Sequence, residues 1–130
     1  MTAILLDTHI ILWFLTDSPR LPRPVRDQLQ DTANDVFFSA ASIWEIAIKT
    51  GRGRPAFRTD PLVIAQAARD SGFAELPVHV PAAARVAHLP LHHRDPFDRL
   101  LIAQAITQTL RLYTADPLLP PYSELVTLIA

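Results

Sequence analysis

Four carboxylates stand at points where helix and strand signals meet: Asp7 in LLDTH, Glu45 in SIWEIAIK, Asp98 in RDPFDRLL and Asp116 in TADPLL. Acids gathered within a few ångströms repel one another and rise in pKa unless divalent cations sit between them. A hard cation with oxygen ligands, Mg²⁺ or Mn²⁺, is the economical expectation for such a group. It suits phosphate chemistry, because it polarises a phosphoryl oxygen and activates water.

Each acid also has a purely local reading. Asp7 can cap the helix that follows it. Glu45 can pair with Lys49 at i,i+4, an interaction of only a few tenths of a kcal/mol. Its neighbours Ile43, Trp44, Ile46, Ala47 and Ile48 nevertheless draw it towards a core, where an ionised acid is costly without a cation or several donors. Asp98 can complete a capping arrangement behind Asp95 and complement a helix dipole. Asp116, before Pro117, can form an Asx-turn.

The elements that must position these groups follow from pattern and punctuation, the latter supplied by twelve prolines and three glycines. Ala3-Ile4-Leu5-Leu6 is a short apolar run without alternation, the mark of a strand buried on both faces, and it stops at Asp7. A short apolar helix follows over 9–15. Proline in its first turn and the Val25, Leu29 spacing predict an amphipathic helix over 22–33. Val36–Ser39 reads as a second strand, and 41–50 as a helix that is apolar nearly all round and capped by Gly51. A basic connection over 52–60 leads to a helix over 61–71 ended by Gly72. A short strand over 74–77 and a helix over 81–87 come next. Asp95 then reads as an N-cap, with Pro96 as the first helical residue and Asp98 at N3. Strands over 112–115 and 125–129 complete the chain, though LPPYSELVTLIA makes the last one less plain.

Strands alternating with helices imply a mostly parallel α/β sheet. Asp7 and Asp116 then both fall at carboxyl ends of strands, which bound the ligand crevice in open α/β sheets, and the first turn of the Asp98 helix opens to the same rim. With 130 residues, 49% of them hydrophobic and 19% charged, one well-packed domain over 1–130 is expected and a largely disordered chain is excluded. The absence of cysteine excludes disulfides, thiolate zinc sites and a cysteine nucleophile, and fits a cytoplasmic address. No stretch reads as a membrane helix or signal peptide, so no membrane association is expected. The formal net charge of -1 gives no global attraction to nucleic acid, so any such contact must be local.

The motifs LLDTH, SAASIWEIAIK, HHRDPFDRLLIAQA and LYTADPLL, in this order over nearly the whole chain, resemble those of PIN-domain ribonucleases, specifically VapC-type toxins of bacterial type II toxin–antitoxin pairs. The resemblance implies a PIN-like three-layer α/β/α sandwich around a central, mostly parallel sheet. It assigns Asp7, Glu45, Asp98 and Asp116 to a site for Mg²⁺ or Mn²⁺, with the hydroxyl of Thr114 assisting. It further implies an endoribonuclease, a homodimer, and a cognate antitoxin whose peptide fills an apolar groove and sets an arginine among the acids. An arginine fork would neutralise carboxylates that otherwise hold metal.

Several other residues admit two readings. Lys49, Arg52, Arg54 and Arg58 could hold an RNA backbone or be solvated loop charge. Arg94 and Arg99 could contact phosphate or pair with Asp95 and Asp98. His9 could support Asp7, and His92 and His93 could serve as general bases, although hydrolysis by metal-activated water needs no histidine. Trp13, Phe14, Trp44 and Ile48 read as core, with a subunit face as the alternative. A housekeeping RNA-processing nuclease of the same fold and a non-enzymatic receiver-like module remain as competing functions. The second is disfavoured by the lack of an acidic pair at the first strand end and of any lysine after Lys49.

Overall fold

A computed structural model describes residues 2–52 and 60–129. Its element order is β1 (Ala3–Leu6), α1 (Thr8–Leu15), α2 (Arg23–Gln30), β2 (Asp35–Ser39), α3 (Ala40–Gly51), α4 (Pro61–Asp70), β3 (Ala74–Leu76), α5 (Val80–Arg85), α6 (Pro96–Gln108), β4 (Arg111–Thr114) and β5 (Val126–Leu128). Five strands form one sheet in the order β3-β2-β1-β4-β5, and all four pairings are parallel. This differs from the 2-1-3-4-5 order of flavodoxin-like sheets, which a receiver-like module would adopt. The edge strand β5, obscure in the sequence, pairs with β4 in the register Leu112↔Val126.

Alternation along the strands sorts the apolar side chains into two cores. Ile4, Leu6, Val36, Phe38 and Tyr113 point to one face and pack with residues of α1 to α4, including Ile10, Phe14, Leu29, Ile46 and Ile64. Leu5 and Leu112 point to the other and meet Leu101, Ile102 and Ala105 of α6. The result is the expected three-layer α/β/α sandwich, its central strands buried on both faces. Strand order runs outward from β1 to β3 and then restarts at β4, so the topological switch lies between β1 and β4.

Two element ends depart from expectation. The helix over 22–33 stops at Gln30, and the Asp31 side chain turns the chain by accepting from the Ala33 amide. Gly51 remains within α3, whose C-cap is Arg52 at φ -90, so no left-handed glycine is needed there. Gly72 does take the left-handed conformation, at φ 91.

A buried polar contact couples the layers near the carboxyl ends of the strands. The Ser39 hydroxyl accepts from the Ala41 amide as the α3 cap and donates to Gln104 Oε1 of α6 at 2.6 Å. Gln104 Nε2 in turn donates to the Pro77 carbonyl at 3.2 Å. Gln104 is fully buried, so its removal strands polar partners. The variant Gln104→Leu is expected to lose about 1–3 kcal/mol of stability in urea unfolding; an unchanged midpoint and slope would refute this coupling role.

Candidate active site

The parallel register places the acid after β1 beside the end of β4. The Asp7 amide donates to the Tyr113 carbonyl at 3.0 Å, and the Thr114 hydroxyl donates to Asp7 Oδ2 at 2.6 Å. Asp7 Oδ1 accepts from the Thr8 amide at 2.7 Å, so the residue caps α1 as its local reading expects. Asp7 is buried, and that burial, partly opposed by the Thr114 hydrogen bond, raises its carboxyl above the ordinary range.

Glu45 is buried on α3 although an acid, and the Thr8 hydroxyl and Lys49 receive it. Its Oε1 lies 2.6 Å from the Thr8 hydroxyl, which is also 2.9 Å from the Ser42 hydroxyl, and Lys49 Nζ pairs with Oε2. The i,i+4 pair foreseen from spacing therefore exists, but with the carboxylate inside the protein rather than on a solvated face. Thr8 and Ser42 escape the sequence reading; the available signal was a serine three residues before Glu45 on a largely apolar helix.

Asp98 takes its place from the α6 cap. Asp95 Oδ1 accepts from the amides of Phe97 and Asp98 at 2.8 and 3.3 Å, which fixes the first turn with the Asp98 side chain directed inward. Burial pushes the Asp98 carboxyl up to about 9, reinforced by the negative charges of Asp7, Asp95, Glu45 and Asp116. Asp116 Oδ1 accepts from the Leu118 amide at 2.9 Å, so the Asx-turn is real, while its Oδ2 faces the site.

His93 bridges this pair. Its Nε2 lies 2.9 Å from Asp98 Oδ2 and 3.3 Å from Asp116 Oδ2. The Tyr122 hydroxyl accepts from the His93 amide at 2.8 Å and holds the loop in place. Spacing alone gave no reason to single out His93 from His92, because a loop carries no periodicity.

All four acids, with His9, Trp13, Arg20, Lys49, His93, Asp95 and Ala115, line one open cavity of about 420 Å³. Among the described residues, His93, Asp98 and Asp116 could hold a metal ion together, their ligand atoms all lying within 4.8 Å of one another. That set differs from the four acids expected from the sequence, since Asp7 and Glu45 direct oxygens to hydroxyls and to Lys49. A hard divalent cation fits the donor chemistry, because oxygen donors predominate and the mutual repulsion at Asp98 is what a cation would relieve.

Arg99 is a correction. Rather than facing the cavity for RNA or pairing with Asp95 or Asp98, its guanidinium donates to the carbonyls of Pro90, His93, Val86 and Leu89, at 2.9 to 3.4 Å, and to the Tyr122 hydroxyl at 3.2 Å. It knits together the loop that carries His93. Trp44 is a second correction, being 60% exposed and packed edge-on against Phe97 instead of lying in the core. Trp13 is half-buried and Phe14 buried. Lys49 and Arg52 line a neighbouring groove with Phe97, and Arg54 and Arg58 lie outside the described residues.

A raised carboxyl has a defined linkage sign. Above the ordinary value of 3.8 the unfolded chain gives up the Asp98 proton that the folded chain keeps until about pH 9, so rising pH disfavours folding across this window. In metal-free protein, the melting temperature is expected to fall between pH 5 and 9. Asp98→Asn should flatten that decline and melt higher than the parent at pH 9, whereas parallel curves for the two proteins would contradict the assignment.

Similarity to known proteins agrees with this architecture. The sequence pattern described as PIN domain matches residues 4–121. Among solved structures, the VapBC2 complex of Rickettsia felis, bound to a DNA fragment from its promoter, superposes with TM-score 0.71 at 12% identity, covering 96% of each chain. VapBC-5 of Mycobacterium tuberculosis gives 0.62 at 20% identity over 98% of this chain and 97% of that one. FitAcB of Neisseria gonorrhoeae gives 0.53 at 21% identity over 87% of both. No curated protein matches the sequence.

Proposed function

The chain belongs to the PIN domain family, and on that premise we propose that it is a metal-dependent endoribonuclease acting as the toxin of a toxin–antitoxin pair. The observation that carries the reading is the convergence of Asp7, Glu45, Asp98 and Asp116 on one solvent-open cavity, with Asp98 pushed up to about 9 by burial and neighbouring negative charge. The similarity to VapBC structures supports the toxin reading over a housekeeping nuclease of the same fold.

In this reading the four carboxylates hold Mg²⁺ or Mn²⁺. When bound, such a cation supplies Lewis-acid charge to the phosphoryl group and lowers the pKa of water at neutral pH. The protein's own groups prepare the site. Thr114 locks the Asp7 rotamer through a buried hydrogen bond, and Thr8 with Lys49 does the same for Glu45. His93 keeps Asp98 and Asp116 in register. Lys49 and Arg52 are the described cations nearest the groove and would contact the RNA backbone, with Arg54 beyond them in the chain.

The partners in this proposal are an RNA strand, a second copy of the chain and an antitoxin that blocks the acidic cavity. A cytoplasmic setting suits them, and among the described residues no helix is long and apolar enough to cross a membrane.

Incubation of the purified protein with a mixed RNA preparation tests the reading. Cleavage is expected with Mn²⁺ or Mg²⁺, none with EDTA, and a rate at least about 100-fold lower for Asp98→Asn, since even a partner outside the ligand set can be worth that much. Hydrolysis by water should leave 5′-phosphate and 3′-hydroxyl ends. A 2′,3′-cyclic phosphate product, or cleavage indifferent to EDTA, would overturn the mechanism.

A further inference from the structure

Part of the cavity wall is not carboxylate. His9, Trp13 and Arg20 line the same cavity as the four acids, and the proposed mechanism uses none of them. His9 and Trp13 stand one turn apart on α1, whose opposite face is buried through Ile10, Ile11 and Phe14. Their rings lie 6.4 Å apart, tilted by 58°. The Arg20 guanidinium carbon sits over the Trp13 ring, 5.9 Å from its centroid.

This arrangement is held by the backbone. After α1 the chain reverses through Asp17 at φ 52, and the Ser18 amide donates back to the Trp13 carbonyl at 2.9 Å. The Arg20 amide then donates to the Ser18 hydroxyl at 3.2 Å. From α2, Arg26 reaches the carbonyls of Trp13 and Phe14 at 3.4 and 3.3 Å and pairs with Asp17 at 3.3 Å. The reversal thus returns a cation to the face of a fixed indole at the edge of the acidic site.

An RNA strand entering this cavity meets five carboxylates, counting Asp95, in a chain whose formal net charge is -1. Coulomb attraction to phosphate is weak among those acids, so a contact indifferent to charge is needed beside the cations Lys49 and Arg52 of the adjoining groove. Stacking of an unpaired base on an aromatic ring meets that need, because every base has a π face. We propose that His9, Trp13 and Arg20 form a subsite in which an unpaired nucleobase stacks on the Trp13 indole while Arg20 reaches the adjoining phosphate. The inference rests on the RNA-cleaving reading and adds to it the place where one unpaired base sits beside the acids.

Binding measured apart from cleavage tests it. In an Asp98→Asn background, fluorescence anisotropy compares a labelled oligouridylate with an abasic ribose-phosphate oligomer of equal length, which keeps every phosphate and lacks every base. Trp13→Ala is expected to weaken the oligouridylate by about tenfold and leave the abasic oligomer unchanged. Trp13→Phe should restore most of the loss, which separates stacking from a folding defect, and each variant's melting curve is read alongside. Arg20→Ala should weaken both oligomers and reduce the slope of log affinity against log salt by about one. Equal losses on both oligomers, or none on either, would overturn the subsite while leaving cleavage by the parent protein intact. Failure of the parent both to cut and to bind RNA would instead remove the nuclease reading, and the subsite with it.

Discussion

Negative charge gathered around one cavity, on side chains that are largely buried, is the constraint on which this structure turns. Asp98 is held above its ordinary pKa first by burial and then by Asp7, Asp95, Glu45 and Asp116. Water screens such repulsion only in part, because Asp7 and Glu45 are buried and the Asp98 side chain nearly so. The arrangement persists because donors are distributed among the acids: the Thr8 and Thr114 hydroxyls, the Thr8 and Leu118 amides, Lys49 and His93. Among the described residues no buried side-chain nitrogen or oxygen lacks a partner, so the strain is electrostatic rather than a failure of hydrogen bonding.

The fold meets this constraint with rigid supports. Asp7 directly follows β1 and Asp116 lies two residues beyond β4, and the strand residues Leu5, Leu6 and Leu112 that support them are fully buried. Glu45 and Asp98 ride on α3 and α6, which the Ser39–Gln104 bond joins across the end of the sheet. Arg99 spends its donors on four carbonyls and a phenol to define the loop bearing His93. A cation in the loop-forming role is economical, since a guanidinium offers five donors in a fixed fork.

The rest of the cavity wall answers a different demand. Under the proposed nuclease reading, an acidic cavity in a chain of nearly balanced charge attracts a polyanion weakly, and groups outside the carboxylate cluster supply the attraction. The groove beside Lys49, Arg52 and Phe97 and the wall of His9, Trp13 and Arg20 both combine cations with aromatic surface, and both adjoin the acids. Cations and aromatic surface thus stand beside the carboxylates, both in the cavity and in the groove next to it.

Much of this was legible in the chain itself. Short apolar runs stopping at Asp7 and Asp116 announced buried parallel strands, because a strand covered on both faces loses its polar alternation, and Asp95-Pro96 announced the start of α6 through cap chemistry that is local. The anomaly of an acid among Ile43, Trp44 and Ile46 was likewise visible, since hydrophobic context is a sequence property. What only the tertiary structure decided depends on contacts between distant segments: the edge position of β5, the joining of Thr8 to Glu45 across 37 residues, the bridge from His93 to Asp116, and the diversion of Arg99 from phosphate to backbone. Residue type and local spacing determine what a side chain can do. Which partner it meets is determined by how separate elements pack, and no local pattern encodes that distance.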